Sequence, residues 1–374
     1  MSRSPDKLFT KNHKSQDFYI VAEQPSEKKP KNRKKPKRRC GRICQVFCWC
    51  SASVACFYTL IPFLFWYFPE MCTFMIFSNR FRWPPLGNLN KPSDYGLNHT
   101  RNLYLNPRRN IQIGVWHVLP RVLADSNTFL SDLEYDQSLN EQKLPVVLYM
   151  HGNTGTRAGW HRLQIYQVFS SMNYHTITFD YRGYAESTGV PSEDGVVEDG
   201  QYLFNWIKQR VKKDTPIILW GHSLGTGVAT KLAKNLCDEG SPPAALILEA
   251  PFTNIVNATY HHPFLIPFKF FKTLKVKLTN FVQRSGVEFA SDESISSVTS
   301  PILILHAEDD LLIPIELGKK LYDIGVETRP KESGPIKFVA FKAVHGYGHK
   351  HIHKAPELAE IVSSFMQTCM ESGF

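Results

Sequence analysis

The sequence predicts an α/β fold, a mostly parallel sheet flanked by helices, with a cap insertion and one N-terminal transmembrane helix. Short apolar runs alternate with longer amphipathic segments along most of the chain, the pattern of a sheet covered by helices. The apolar runs are continuous rather than alternating, which is typical of parallel strands buried on both faces. One interval, 252–300, is much longer than the others and predicts an insertion over the sheet.

The first segment, 1–42, is a basic tail that we predict to be disordered. It accounts for the whole net charge of +10, because the residues after it carry equal numbers of acidic and basic side chains. The run KKPKNRKKPKRR within it is also typical of nuclear signals and nucleic-acid-binding arms. Since the folded domain has no excess of positive charge for a basic groove, we predict no nucleic-acid partner.

The second segment, 43–69, has no charged residue and is rich in aromatic and aliphatic side chains. As a helix it is long enough to cross ~30 Å of hydrocarbon, and it is too long for a signal-peptide core. We predict a single-span signal anchor. The basic tail before it would stay in the cytoplasm, and the rest of the chain would be translocated. A buried core helix preceded by a solvated charge run is the alternative.

The remaining chain is predicted to comprise a membrane-proximal connection, 70–100, and a globular domain, 101–374, with its cap insertion at about 253–300. The apolar runs predict strands at 111–119, 145–152, 174–183, 216–223, 244–251, 301–310 and 336–346. Helical patterns fit 156–172, 195–213, 224–237, 315–323 and 355–369, and the polar segment 124–143 is predicted to be a loop. Most of the eight cysteines lie in or beside the predicted span, which predicts neither a disulfide framework nor a metal site.

The stretch PIILWGHSLGTGVATKLAKNL, 216–236, places a serine between a predicted strand and a predicted helix. Its Gly221-His222-Ser223-Leu224-Gly225 matches G-x-S-x-G, a sharp turn that exposes the serine hydroxyl and needs small flanking residues. The pattern alone is common, and a glycine-rich structural turn is the alternative. The strand-turn-helix setting favours Ser223 as a nucleophile.

A serine nucleophile of this kind needs a histidine base and an orienting carboxylate, in the chain order Ser, Asp, His. The segment PILILHAEDDLLIP places Asp309 and Asp310 in the turn after a predicted strand. The segment GYGHKH follows the last predicted strand, and His349 within it is the predicted base, with His345 as the alternative. The sequence therefore predicts a complete set of acyl-transfer groups.

Acyl transfer also needs N–H donors for the negative charge that develops on the carbonyl oxygen. The backbone amide of Leu224, directly after the nucleophile, is one predicted donor. The amide of Asn153, in the loop after the strand VVLYMHG, is the other, with Gly152 allowing close approach. His151 is predicted to hold this loop through a side-chain hydrogen bond.

With HGNTGTR, FDYRGYAES, WGHSLGTGVATKL, LEAPFTNI, LILHAEDD and YGHKHIHKAPEL in this order, the chain resembles the α/β-hydrolase domain-containing family from about residue 85 to its end. More narrowly it is similar to the member twelve subfamily of lysophosphatidylserine and monoacylglycerol lipases, or its close paralogue. The resemblance implies the α/β-hydrolase fold and catalytic places for Ser223, Asp310 and His349. Asp310 is favoured over Asp309 because it stands four residues after His306, as in the H-G-x-x-D-x-x-V-P pattern of this fold.

The resemblance also implies a single-pass type II protein of the endoplasmic reticulum membrane, with its catalytic domain luminal. Asn98, in the sequon Asn98-His99-Thr100, takes a glycosylation place of the family. A second sequon begins at Asn257, and the sequence does not decide whether Asn257 is glycosylated.

The predicted cap contains HHPFLIPFKFFKTLKVKLTNFVQR, 261–284, which is aromatic and basic and has no acid. It predicts apolar walls for an acyl chain and cations for an anionic head group, and these substrate-binding candidates are Phe264, Phe268, Lys269, Lys272, Lys275 and Lys277. An ordinary basic surface helix, or a phenylalanine face that enters the bilayer, are the alternatives.

Together these features predict a membrane-anchored lipase that hydrolyses acyl esters of lysophospholipids or monoacylglycerols through an acyl-enzyme. The partners expected are a lipid substrate and the membrane, and no metal or organic cofactor is expected. A peptidase or thioesterase of the same fold, or an inactive hydrolase-like adhesion or scaffold protein, are the alternatives. Oligomeric state does not follow from the sequence.

Overall fold

The computed structural model describes residues 39–67, 70–82, 84, 87–124, 130–141, 143–269 and 272–371. The first helix, α1, is Arg39–Tyr67. Among the described residues, no helix is both long enough and apolar enough to cross a membrane, so the predicted span over 43–69 gains no support from the structure. Most of the predicted basic tail, 1–38, lies outside the described residues.

An eight-stranded sheet runs through the described part of the globular domain. Its strands are β1 (Thr100–Arg108), β2 (Ile111–Val118), β3 (Val146–Met150), β4 (His175–Phe179), β5 (Ile217–His222), β6 (Ala245–Glu249), β7 (Ile302–Ala307) and β8 (Ile336–Phe341). Their order is β1-β2-β4-β3-β5-β6-β7-β8. The pairs β1/β2 and β2/β4 are antiparallel, and every pair from β4 to β8 is parallel. The predicted mostly parallel sheet is confirmed.

The remaining helices connect and cover these strands. They are α2 (Glu70–Phe77), α3 (Arg121–Ala124), α4 (Asp132–Glu141), α5 (Trp160–Ser171), α6 (Glu193–Lys208), α7 (Leu224–Asp238), α8 (Ile255–His261), α9 (Leu274–Ser285), α10 (Ser291–Ser294), α11 (Ile315–Thr328) and α12 (Leu358–Glu371). Short 3-10 turns lie at Pro92–Tyr95, Pro263–Phe268, Ile295–Ser297, Ala343–His345 and Ile352–Lys354.

Helix α4 corrects the prediction of a loop over 124–143. Its start is stabilised by a reciprocal cap, in which the Ser131 amide donates to the Glu134 carboxylate at 2.6 Å and the Glu134 amide donates to Ser131 Oγ at 3.4 Å. The spacing S-x-x-E is the sequence signature of such a capping box. Strand β1 was also not predicted, because its residues are mostly half-buried and polar.

Both faces of the sheet are buried, which explains the continuous apolar runs. In β5, Leu219 packs on the face covered by α6 and α7, and its neighbour Trp220 packs on the opposite face with α5 and α12. Fully burying such a side chain contributes about 1.5–3 kcal/mol. The alternation of side chains along a strand therefore supplies two cores from one run of residues.

The parallel strands end at one edge of the sheet, and the predicted functional residues lie in the loops at that edge. Asn153 follows β3, Ser223 follows β5, Asp310 follows β7 and His349 follows β8. The long interval between β6 and β7 contains α8, α9 and α10, which occupy the place of the predicted insertion. Ligands of open α/β sheets bind at this carboxyl edge.

Candidate active site

Ser223 lies on the sharp turn between β5 and α7, with backbone angles φ 54° and ψ −121°. A serine in this region is strained, and such strain persists only where the surrounding structure enforces it. Here close packing of the flanking glycines against neighbouring backbone holds Ser223 in this conformation. A Cβ atom on Gly221 would lie 2.3 Å from the Gly225 carbonyl oxygen, and one on Gly225 would lie 2.1 Å from the Met150 carbonyl oxygen. The G-x-S-x-G pattern therefore reflects two contacts that only glycine permits.

The structure brings Ser223, His349 and Asp310 together in one hydrogen-bonded line. His349 Nε2 lies 2.8 Å from Ser223 Oγ, and His349 Nδ1 lies 2.7 Å from Asp310 Oδ2. An ionised carboxylate only accepts, so Nδ1 carries the ring proton and Nε2 is left to accept from the serine hydroxyl. This is the tautomer that a general base needs.

Asp310 is buried at the end of β7, and its position is fixed by several donors. Its Oδ1 atom accepts from the amides of Leu312 and Ile313, each at 2.9 Å. Burial alone would raise its pKa, but the hydrogen bonds from His306 and His349 outweigh burial and lower the pKa below its ordinary value. The carboxyl group therefore stays ionised and can stabilise an imidazolium ion.

The other predicted candidates occupy different places. Both carboxylate oxygens of Asp309 lie 3.0 Å from the Gly348 amide, so Asp309 anchors the loop directly before His349. His345 is exposed and stacks on Tyr347. The structure thus assigns Asp309 a contact with the backbone and leaves Asp310 as the partner of the imidazole.

Both predicted oxyanion donors belong to segments that lie close to Ser223. Leu224 is the first residue of α7, where the N–H groups have no carbonyl one turn earlier to bond. A Cβ atom on Gly152 would lie 3.3 Å from Ser223 Cβ, so the loop carrying Asn153 approaches the nucleophile closely. His151 Nδ1 lies 2.7 Å from the Gly152 carbonyl oxygen, the loop-holding contact predicted for it.

The predicted substrate-binding residues lie in the insertion. Phe264 and Phe268 belong to the 3-10 turn Pro263–Phe268, which begins beside His262. His262 itself is exposed, and its ring accepts from the Phe264 amide at 3.3 Å. The Lys269 and Lys275 ammonium groups lie 5.4 and 6.0 Å from the Tyr260 ring centroid.

Lys272 and Lys277 are exposed on the same segment. Among the described residues, no hydrogen bond or ion pair joins any of the four cap lysines to Ser223, Asp310 or His349. In the described part of the chain, these four predicted cations are therefore not bonded to the reacting groups. Nor does the described part of the chain hold any group of three or more His, Cys, Asp or Glu side chains that could bind a metal ion.

Several groups at the site were not predicted. His222 Nε2 donates to the His349 carbonyl oxygen at 2.8 Å, because a carbonyl can only accept. The Glu249 carbonyl accepts from the Ser223 amide at 3.0 Å, and burial raises the pKa of its side chain to about 7 despite a hydrogen bond from Trp220. These contacts depend on which strands are neighbours, so no local pattern could have identified them.

The two sequons differ in exposure. Asn98 is exposed, whereas Asn257 is buried in α8 and its side-chain amide donates to Thr253 Oγ1 at 2.8 Å. A glycan on Asn257 would require this contact to break.

Comparison with known proteins identifies the family of this chain. A family model described as alpha/beta hydrolase fold matches residues 145–264. Lysophosphatidylserine lipase ABHD12 of Xenopus tropicalis is 46% identical over 310 residues, which cover 83% of this chain and 80% of that protein. Protein ABHD12B of Homo sapiens is 37% identical over 300 residues, covering 80% of this chain and 81% of that protein.

Among solved structures, an alpha-beta hydrolase from Vibrio vulnificus superposes with a TM-score of 0.57 at 17% identity, covering 78% of this chain and 92% of that chain. This likeness shows the fold. The sequence identity to the two ABHD12 relatives, over most of both chains, also shows the family. The chain belongs to the ABHD12 family of α/β hydrolases.

Proposed function

We propose that this chain is a lipase that hydrolyses the acyl ester of lysophospholipids such as lysophosphatidylserine, and of monoacylglycerols. The observation that carries the proposal is the hydrogen-bonded line from Ser223 through His349 to Asp310. Its substrate class is suggested by relatives named lysophosphatidylserine lipase.

In the first half of the reaction, Ser223 Oγ attacks the acyl carbonyl carbon while its proton passes to His349 Nε2. The carbonyl oxygen becomes an oxyanion and accepts hydrogen bonds from the Leu224 and Asn153 amides. The ester bond then breaks, and His349 returns the proton to the departing glycerol oxygen. In the second half, water repeats these steps on the acyl-enzyme and releases the fatty acid.

The test is hydrolysis by the purified full chain of lysophosphatidylserine and a monoacylglycerol in detergent, with Ser223→Ala as the blank. We expect both esters to be cleaved and the blank to be inactive. Labelling of Ser223 by a fluorophosphonate distinguishes an active serine hydrolase from an inactive scaffold. Cleavage of thioesters or peptides in place of these lipids would contradict the proposal.

The cap lysines are proposed to attract the anionic head group. Neutralising Lys269, Lys272, Lys275 and Lys277 together by glutamine is expected to weaken hydrolysis of lysophosphatidylserine more than that of an uncharged monoacylglycerol. The difference should shrink as salt rises, because exposed charges are screened over ~8–10 Å at physiological ionic strength. The measurement is kcat/KM for both lipids, dispersed in detergent, at low and high salt.

A matched control removes the same charge elsewhere: Lys319, Lys320, Lys331 and Lys337 are exposed outside the cap. Their replacement by glutamine should change both kcat/KM values equally and slightly. Equal losses on the charged and neutral lipids for the cap variant would refute head-group recognition by the cap while leaving the hydrolase proposal intact.

For location, we propose a single-pass type II protein of the endoplasmic reticulum membrane, anchored through 43–69. The uncharged 43–69 run behind a basic tail supports it. In sealed microsomes, protease is expected to spare residues after about 70, and glycosidase should increase mobility unless Asn98 is replaced by Gln. Asn257→Gln should leave mobility unchanged, because Asn257 is buried. Digestion of the domain in sealed vesicles would overturn this topology.

A further inference from the structure

Arg162 is a buried cation beside the active site that the reaction scheme above does not use. It lies near the start of α5, and its side chain is almost completely removed from solvent. A positive charge at a helix N-terminus opposes the helix dipole, so its position needs another explanation. Among the described residues no acid forms an ion pair with Arg162.

Instead, the Arg162 guanidinium donates to carbonyl oxygens of the loop that follows β3. Nη1 lies 2.5 Å from the Thr156 oxygen, and Nη2 lies 2.5 Å from the Thr154 oxygen and 3.4 Å from the Gly152 oxygen. The Gly152 oxygen also accepts from His151 Nδ1. One planar group therefore fixes the direction of three carbonyls in the loop 152–156.

The direction of a carbonyl determines the direction of the next amide. In a trans peptide the C=O of one residue and the N–H of the next point in opposite directions. Because the Gly152 carbonyl is turned toward Arg162 and His151, the Asn153 N–H is turned away from them. Gly152 itself lies against Ser223, since a Cβ atom on it would be 3.3 Å from Ser223 Cβ, so the Asn153 amide that follows is close to the nucleophile.

We propose that Arg162 is a positioning residue for the oxyanion hole, which holds the Asn153 amide in place by binding the carbonyls of Gly152, Thr154 and Thr156. This rests on the proposed hydrolase function. Arg162 does not touch the substrate in this scheme. Its loss leaves Ser223, His349 and Asp310 in contact and removes the constraint on one of the two donors.

The chain offers a closely matched control in Arg329, the residue after α11. Arg329 also donates to carbonyls of one loop, with Nε 2.7 Å from the Val298 oxygen and Nη2 3.4 and 2.6 Å from the Thr299 and Ser300 oxygens. That loop precedes β7 at the opposite end of the strand from Asp310. Arg329→Gln therefore removes the same kind of structural support without touching the oxyanion loop.

The experiment compares full-length wild type, Arg162→Gln, Arg162→Lys and Arg329→Gln by kcat and KM on a monoacylglycerol. It also measures inhibition by a trifluoromethyl ketone, which forms a tetrahedral oxyanion on the serine. Loss of one oxyanion donor lowers kcat by ~10²–10³-fold in other hydrolases. We expect about 10²-fold for Arg162→Gln, an unchanged KM and a similar loss of inhibitor affinity. Arg162→Lys keeps the positive charge but has fewer hydrogen-bond donors. Its kcat and inhibitor affinity should therefore lie between those of wild type and Arg162→Gln.

Arg329→Gln should keep the wild-type kcat and inhibitor affinity. The inference is overturned if the Arg162 variants change kcat no more than Arg329→Gln does, or if kcat falls while inhibitor affinity is unchanged. If Arg162→Gln does not fold, Arg162→Lys decides by the same two readouts. A wild-type chain that neither hydrolyses esters nor reacts with a fluorophosphonate would instead refute the proposed function.

Discussion

Replacing Asp310 by asparagine is expected to lower kcat for ester hydrolysis by about 10⁴-fold, the loss seen for the equivalent change in another serine hydrolase. The carboxylate holds the proton on His349 Nδ1, and the asparagine amide would donate there instead. The imidazole would then carry its proton on Nε2 and could not accept the proton of Ser223. The measurement is kcat on a monoacylglycerol, with circular dichroism to show that the variant is folded.

Asp309→Asn is the control for this prediction. Asp309 contacts the Gly348 amide, and the asparagine carbonyl oxygen can still accept that hydrogen bond. Its effect on kcat should therefore be far smaller. Similar losses at the two positions would mean that the carboxylate next to the imidazole acts only by supporting the loop.

Replacing Arg157 by leucine is expected to lower the free energy of unfolding by about 3–5 kcal/mol, because it leaves a buried carboxylate without its partner. Arg157 and Asp180 are completely buried and form an ion pair, and the Arg157 guanidinium also contacts Glu186 and lies 5.1 Å from the Trp116 ring centroid. Unfolding by urea, followed by fluorescence, measures the difference.

The pH dependence gives a second readout for Arg157→Leu. Burial raises the pKa of Asp180, and the charge of Arg157 opposes that rise. Without Arg157 the carboxyl pKa would rise further, so the group would take up a proton more easily in the folded state. The deficit should therefore be smaller at acidic than at alkaline pH. A deficit independent of pH would point to lost packing alone.

Arg108→Leu is the matched control, because Arg108 pairs with Glu198 at the surface. Exposed pairs contribute about 0–1 kcal/mol. If Arg108→Leu and Arg157→Leu lowered the free energy of unfolding by similar amounts, burial of the Arg157–Asp180 pair would not explain the loss.

Most of the fold could be predicted because strand signals in this chain are local. The run IILW at 217–220 is buried on both faces, and its composition alone indicates a parallel strand. Strand β1 could not be identified in this way, since only Arg101 among its residues is buried. Helix α4 could have been predicted from its capping residues Ser131 and Glu134, but its polar composition indicated a loop.

The candidate site likewise contains residues that a local sequence pattern identifies and residues that it does not. Ser223 is identified by a turn whose glycines are its immediate neighbours, so the information is within five residues. Asp309 and Asp310 are adjacent and chemically identical, so the residues alone do not decide which of them is the orienting carboxylate. Arg162 gives no sequence signal, because its role depends on how α5 packs against a loop. Predictions from motifs therefore find the reacting groups and miss the groups that hold them in place.

The backbone of Ser223 has a consequence for protein engineering. A non-glycine residue in such a conformation costs about 1–3 kcal/mol in every folded molecule, with or without substrate. Glycine would relieve that cost and remove the nucleophile at the same time. Selecting a library of variants only for heat resistance would thus favour Ser223→Gly, which is inactive. Screening for durable variants has to include turnover from the first round.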